Sequence, residues 1–588
     1  MSVKVNKTRS LAMAAALVGA STMAVMTTGC ERPDWDDPDY VIQQLEEGST
    51  VNQRQAVEQL RHMPEDRRDD AAAAAAQAYL QEEDLRSDVM RRLIEWRHPN
   101  AIDAYLEEME HDHTGYGDSS ARVLGEIGDD SVVPKMLEVF DETGDHDRRI
   151  GILEGLSHMP DAEVVERAVS IFEMDPDNYP IALHRAACEF IGGLGLEDPE
   201  SIDDEAMNRL IYARFLSNEQ GQDTAQACGL AIQQVGPQIV PHLIELFNGE
   251  HEDVQTLLMT YDNPGDGEHF PENRSKHRAA QHLSQLHAAE AVELFMDALQ
   301  EDVESPDWSG DRLGAWNATQ MQALNQMYLG LGDIGDPEAR ELVESIMRAE
   351  PFADEWSDVA DGPGIFQTQQ DAARALARLG DRDAREALMD QTGADIVGPM
   401  AQRFAALEEH EDHDAPPLVE QLRPQWLAAQ SFAYLGQADD REAYDELISD
   451  VEGLEDDDLT ERLESFAVAF DVMDECEELE GQEQAQCFGG FLDDDDEHAR
   501  AKAAMELSRM EADAAGSVIM EHLDTSRLGT RELLTFAAYR SPGEGLADRV
   551  QEVIEGDANR SSSSYEADRR RLRMLHAWAV HHERGSGE

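Results

Sequence analysis

One short pattern keeps returning along this chain, and a returning pattern constrains the fold more than any single motif can. A stretch rich in small residues runs into Leu-Gly-x-Ile/Leu-Gly-Asp, and a second apolar stretch follows. Ala121 to Asp129 leads into Val132-Val133-Pro134 and Met136-Leu137; Arg185-Ala186-Ala187 leads to Gly192-Gly193-Leu194-Gly195. Ala225 to Gly236 precedes Ile239 to Ile244, and Arg278-Ala279-Ala280 precedes Ala291-Val292 and Leu294-Phe295. Leu331-Gly332-Asp333-Ile334-Gly335-Asp336-Pro337 is the cleanest copy, and Ala372 to Asp381 is nearly as clean. Ala428 to Gly436 and Ala503 to Leu507 are weaker copies. Apolar residues recur at spacings of three and four, as one buried helical stripe requires. The small residues let one helix sit close to its neighbour. Glycine at the helix end permits a left-handed C-cap, and the Asp after it can cap the next helix. A helix pair of this kind cannot bury its apolar face alone, so pairs must stack. The expected fold is all-α, a solenoid of stacked antiparallel helix pairs.

These segments resemble HEAT repeats of the short, bilin-lyase-like subtype, over most of residues 50 to 560. Recurrence carries the resemblance, because each copy alone is an ordinary helical stripe. The anchor glycines Gly128, Gly195, Gly236, Gly335, Gly380 and Gly436 are separated by 67, 41, 99, 45 and 56 residues. The two wide gaps leave room for degenerate units at Arg148 to Ile171 and Arg278 to Leu299. The solenoid is expected over 49–560, with insertions near 253–275, 301–318, 351–366 and 405–424. Trp308, Trp316 and Trp356 fall in these insertions and are the candidate partner-binding anchors, since buried tryptophans dominate interface energetics. Residues 561–588, with Arg569, Arg570, Arg571 and Arg573, read as a C-terminal capping helix and tail whose arginines meet acids of the preceding repeat.

Charge narrows the partners. The 588 residues hold 125 Asp and Glu against 47 Lys and Arg, a formal net charge of −78. Phosphate backbones and anionic lipid would be repelled at long range, so nucleic acid is not an expected partner. Only five lysines occur, Lys4, Lys7, Lys135, Lys276 and Lys502. Dense carboxylates with few lysines resemble the surfaces of proteins from salt-adapted organisms, where salt screens the repulsion. The same repulsion favours a monomer at low salt.

The N-terminus reads as an address. Lys4, Lys7 and Arg9 precede an uncharged apolar run of sixteen residues, Leu11 to Met26. That is short of the roughly 20 residues that span a bilayer. Thr27-Thr28-Gly29-Cys30 follows. The arrangement resembles a bacterial lipoprotein signal peptide over 1–29. The resemblance implies that Cys30 is lipidated and becomes the new N-terminus, although Thr27 stands where Leu is usual. Residues 30–48 were expected to form a polar tether, because Asp34, Asp36, Asp37, Pro33 and Pro38 crowd its start.

Nothing in the sequence assembles known chemistry. There is no nucleotide loop, no Gly-x-Ser-x-Gly and no His-Glu-x-x-His. His111-Asp112-His113, His410 to Asp414 and Asp262 to Glu268 are ligand-rich but lack metal-site spacing, so no metal, cofactor or catalytic residue is expected. Asp493 to Glu497 reads as a solvated turn. Cys188 and Cys228 occupy equivalent repeat positions and read as small core residues. Cys476 and Cys487 would stand about 16 Å apart on one continuous helix. A break at Gly481 would let them close a hairpin, making them the candidate disulfide.

The expected function is a membrane-anchored protein–protein interaction scaffold of the bacterial cell envelope, facing the periplasm or the exterior. It would bind one or more proteins and would not be an enzyme. The alternatives are a periplasmic chaperone or assembly factor, which needs an apolar groove, and a lyase-like enzyme built on the repeats.

Overall fold

A computed structural model of the chain describes residues 34–159, 164–261, 271–304, 315–348, 363–392, 422–452, 457–557, 560 and 562–586. Among the described residues every extended element is a helix, and the one β-type pairing is an isolated bridge between Ser217 and Asp223. The chain divides into two compact units, Met1–Ala104 and Tyr105–Glu588.

The first unit shows that the pattern begins earlier than expected. The stretch 30–48, read as a tether, is helical from Pro38 to Glu47, and Val41, Ile42 and Leu45 are buried. The sequence reading weighted the acids before Pro38 and overlooked the apolar spacing after it. Asp37 caps this helix by accepting from the Asp39 amide. The helix packs on Thr50–Gln59 and on Arg68–Gln81. Ala71, Ala72, Ala74, Ala75, Ala76 and Ala78 of the latter are buried, so a nearly side-chain-free surface allows close approach.

The second unit repeats one local design. Gly128, Gly335 and Gly380 end helices with φ of 72°, 83° and 80°. The aspartate after each, Asp129, Asp336 or Asp381, accepts a hydrogen bond from the amide two residues on and starts the next helical turn. Ile/Leu-Gly-Asp is therefore a stop and a start in three residues. The first helices of successive repeats stack side by side: Gly117–Ile127 on His146–Leu156, that on Ile181–Glu197, and that on Ala225–Val235. The row continues through Pro271–Gln285, Ala315–Ile334, Pro363–Leu379 and Arg423–Leu435. It passes Val468–Cys476, Glu497–Leu507 and Leu528–Arg540 to reach Ser563–Ser586.

The last helix then returns to the row. Ser563–Ser586 packs against both Leu528–Arg540 and Ala225–Val235, so the inner helices from 225 onward form a closed ring. Residues 561–588 were expected to be a terminal cap. The helix does meet the preceding repeat, where Arg571 pairs with Glu532 at 3.1 Å, but its far end docks on a repeat some 350 residues earlier in the chain. Two covalent links stiffen the row. Cys476 ends one helix, Gly481 with φ 54° starts the next, and Cys476 and Cys487 are bonded with Cα atoms 5.7 Å apart. Cys188 and Cys228 are buried core residues and are also bonded, Cα to Cα 4.9 Å, tying two neighbouring inner helices. Sequence analysis read them as free core thiols and did not foresee the bond.

Candidate functional site

Ring closure places charged side chains from the C-terminal helices onto the C-terminal ends of earlier ones. Those ends carry unsatisfied carbonyls and the negative end of the helix dipole, so a cation is favoured there. Arg540 donates to the carbonyls of Gly335 at 3.2 Å and Leu379 at 3.3 Å, and to that of Arg378. Arg509 donates to Ala377 O at 3.2 Å and Tyr434 O at 3.0 Å. Lys502 donates to Tyr434 O at 3.0 Å and Gly436 O at 2.6 Å. His581 Nε2 bonds Gln234 O at 2.7 Å, and Arg584 donates to Leu196 O.

Two repeat glycines make this docking possible. A Cβ on Gly335 would lie 1.7 Å from Arg540 Nη2, and one on Gly236 would lie 2.5 Å from the His581 ring. Glycine is favoured at both positions by its positive φ, and it leaves room for the docking side chain, Arg540 at one and His581 at the other.

Beneath Lys502 and Arg509 lies Glu506. It accepts from Lys502 at 2.8 Å, Arg509 at 2.6 Å and Arg382 at 3.0 Å. Burial pushes its carboxyl up, yet the three cations outweigh this and hold it at about 2. Burial lowers Lys502 to about 8 despite the same carboxylate. The cluster joins Arg382, Tyr434 and residues 502–509, its charges meeting one another and backbone carbonyls, while Arg509 Nε itself is buried without a partner.

Inside the ring a cavity of about 410 Å³ opens between the two halves of the row. Leu533, Phe536 and Tyr539 recur every three residues on Leu528–Arg540 and face it, while Leu534, Ala537 and Ala538 of the same helix face the core. Met505 and Met574 complete the apolar wall. At the rim Arg378 pairs with Asp333 at 2.7 Å, and Arg571 pairs with Glu532. The guanidinium carbons of Arg378 and Arg540 lie 5.8 and 5.7 Å from the Phe536 ring centre. His287 stacks on Tyr539 with centroids 4.3 Å apart, and burial lowers its pKa to about 4. A cavity of this size, apolar with a few convergent polar groups, has the character of a ligand or anchor pocket.

The residues singled out from sequence fall elsewhere. Cys30, Trp308 and Trp356 lie outside the described residues; Trp316 sits in the Ala315–Ile334 helix, but its side chain is outside them. His410 to Asp414 and Asp262 to Glu268 also lie outside. His113 meets Glu107 at 3.1 Å, and no group of metal-ligating side chains forms among the described residues. In the 493–497 acidic run, Asp496 caps the next helix, while Arg527 and Arg500 bind the carbonyls of the turn. What sequence reasoning missed was the docking of cations on carbonyls. Its one visible signal was Lys502, an isolated lysine within a small-residue helix.

Residues 368–390 match the PBS lyase HEAT-like repeat, which covers the Ala372 to Asp381 copy. The fold is an α-solenoid of stacked helix pairs. The karyopherin Kap121p bound to Nup53p is similar at 11% identity and TM-score 0.46, covering 94% of this chain and 66% of that one. Importin beta is similar at 12% identity and TM-score 0.39, covering 92% and 76%. An engineered protein is similar at 13% identity and TM-score 0.25, covering 75% and 98%. This chain spans about two thirds of the karyopherin's length. No curated protein matches it.

Proposed function

We propose that this chain is a protein-interaction scaffold of the bacterial cell envelope, held at the membrane by lipid on Cys30 and working in salt-rich surroundings. The observation that carries the interaction reading is the ring of HEAT-type helices around one apolar pocket. Rigid helix pairs and a pre-formed pocket lower the ordering cost of binding. The pocket admits a single apolar anchor of a partner, with Phe536 and Tyr539 as its walls and two ion pairs at its rim. It is too small for the extended apolar segments a chaperone must hold, which favours the scaffold over the chaperone. The lyase in the repeat's name belongs to that family and is not carried over. The signal-like N-terminus and the acidic, lysine-poor composition support the location and the salt.

Cross-linking in native membranes at the organism's own salt, followed by capture of the chain, tests the reading. One recurrent partner at near-stoichiometric yield, lost in Phe536→Ala, is expected. Many unfolded clients at low yield, or a partner indifferent to Phe536→Ala, would overturn it. Cys30→Ala should move the protein to the soluble fraction; unchanged membrane association would reject the anchor.

A further inference from the structure

A second group in the ring, two arginines and a neutral histidine, has no helix-end carbonyl or acid bonded to its side chains among the described residues. Arg214 follows the Asp204–Ala213 helix, and Arg278 and His282 stand one turn apart on Pro271–Gln285. Arg214 and His282 meet at Gly229 of Ala225–Val235, and the charge of Arg278 reaches both. A methyl there would lie 3.3 Å from His282 Cε1 and 3.4 Å from Arg214 Nε. Gln233 Nε2 lies 3.3 Å from His282 Nδ1 and can only donate, so the neutral ring carries its proton on Nε2. That Nε2 and Arg214 Nε are both buried and find no partner at hydrogen-bond geometry among the described residues, Gln285 being the other polar side chain that reaches the ring. His282 is 3% exposed, so its idle N–H has no water to turn to. Among the described residues Arg278 donates to Gln281, at 3.2 Å. Asp223 is the acid whose charge reaches both arginines, but its carboxylate is engaged by the Ala225 amide at 3.1 Å.

We propose that Arg214, Arg278 and His282 form a binding site for one oxyanion, a phosphate or a carboxylate group, beside Gly229, where Arg214 and His282 close on the helix. Every unsatisfied polar atom at this point is a donor, and none is an acceptor. A buried guanidinium without a partner costs free energy, which an anion would recover through charge-assisted hydrogen bonds. The groups already feel one another: burial, then the charge of Arg278, lowers Arg214 to about 10, and burial with both arginines lowers His277 to about 4. The overall charge of −78 opposes entry of an anion at long range, so the site should fill best where salt screens that repulsion.

Thermal unfolding of the full chain, titrated with inorganic phosphate at constant ionic strength set by sodium chloride, tests this. The midpoint of the wild type should climb with phosphate, since a ligand that binds only the folded state stabilises it. Gly229→Ala adds a methyl at that point without removing charge and should abolish the climb while leaving the phosphate-free midpoint close to wild type. Arg278→Gln should weaken the apparent affinity by about tenfold or more; Arg214→Gln replaces it if that variant fails to fold. Acetate in place of phosphate separates the two sources: a climb with acetate alone assigns a carboxylate, and with phosphate alone a phosphate group. No climb with either anion, or equal climbs in wild type and Gly229→Ala, would overturn the site.

Discussion

Two sets of basic side chains sit in the same helical ring and meet opposite conditions. Lys502, Arg509 and Arg540 find helix-end carbonyls and, for the first two, Glu506. Arg214, Arg278 and the neutral His282 crowd together and find glutamines, Gln281 for Arg278 and Gln233 and Gln285 for His282, in place of carbonyls or an acid. Each set occupies the same kind of place, the seam between inner helices. The difference lies in what the opposite helix presents. Helix ends present unsatisfied acceptors, whereas the Gly229 face, in mid-helix, has its carbonyls already used. A cation at a helix end fastens two parts of the chain; a cation against mid-helix backbone is left waiting for a ligand.

The comparison can be broken most forcefully at Glu506. Glu506→Gln leaves the buried Lys502 and Arg509 and the half-exposed Arg382 without their carboxylate and should cost about 3–5 kcal/mol in denaturant unfolding. A loss below 1 kcal/mol would mean the carbonyls alone satisfy them. Acid should act on the same group. Its carboxyl sits at about 2 in the folded chain and at 4.5 ordinarily, so its stabilisation is complete above 4.5 and disappears as pH falls toward 2. That is on the order of 3 kcal/mol. The histidines respond earlier: His277 and His287 sit at about 4 against 6.5, so only the unfolded chain takes up their protons between 6.5 and 4. Stability should therefore begin to fall below pH 6.5, and a urea midpoint flat from 6.5 to 4 would contradict the burial of both rings.

Arg540→Met removes a charged donor from three carbonyls and should cost about 2 kcal/mol, read from the same unfolding curves. The smallest effect has the opposite sign. Arg214→Met, without added anion, should be neutral or stabilise by about 1 kcal/mol, because it removes a poorly compensated charge and keeps the bulk. A clear destabilisation would show that Arg214 is satisfied after all, and the contrast between the two sets would fail.

Much of the fold was legible in the sequence because its signals are local. Gly335-Asp336 and Gly380-Asp381 each write a helix stop and start in adjacent residues, and the Ala-rich stretches mark where helices touch. Closure was not legible. Arg540 bonds Gly335 O across 205 residues, and a backbone carbonyl leaves no trace in a sequence. The conspicuous residues drew attention elsewhere, to the tryptophans in insertions. The pocket was hidden for a related reason: Leu533, Phe536 and Tyr539 form a second apolar face on a helix that already has one. From sequence alone that reads as a wholly buried helix, since nothing local tells a core face from one lining a cavity.

Ring closure is the central claim, and one distance tests it most directly. Spin labels at Glu200→Cys and Gly585→Cys, read by pulsed electron paramagnetic resonance, span the contact where Arg584 reaches Leu196. A single narrow population at short distance, broadened and lengthened in Arg540→Met, is predicted. A broad, long distribution in the otherwise unaltered protein would contradict the closed ring, and with it the pocket the ring encloses.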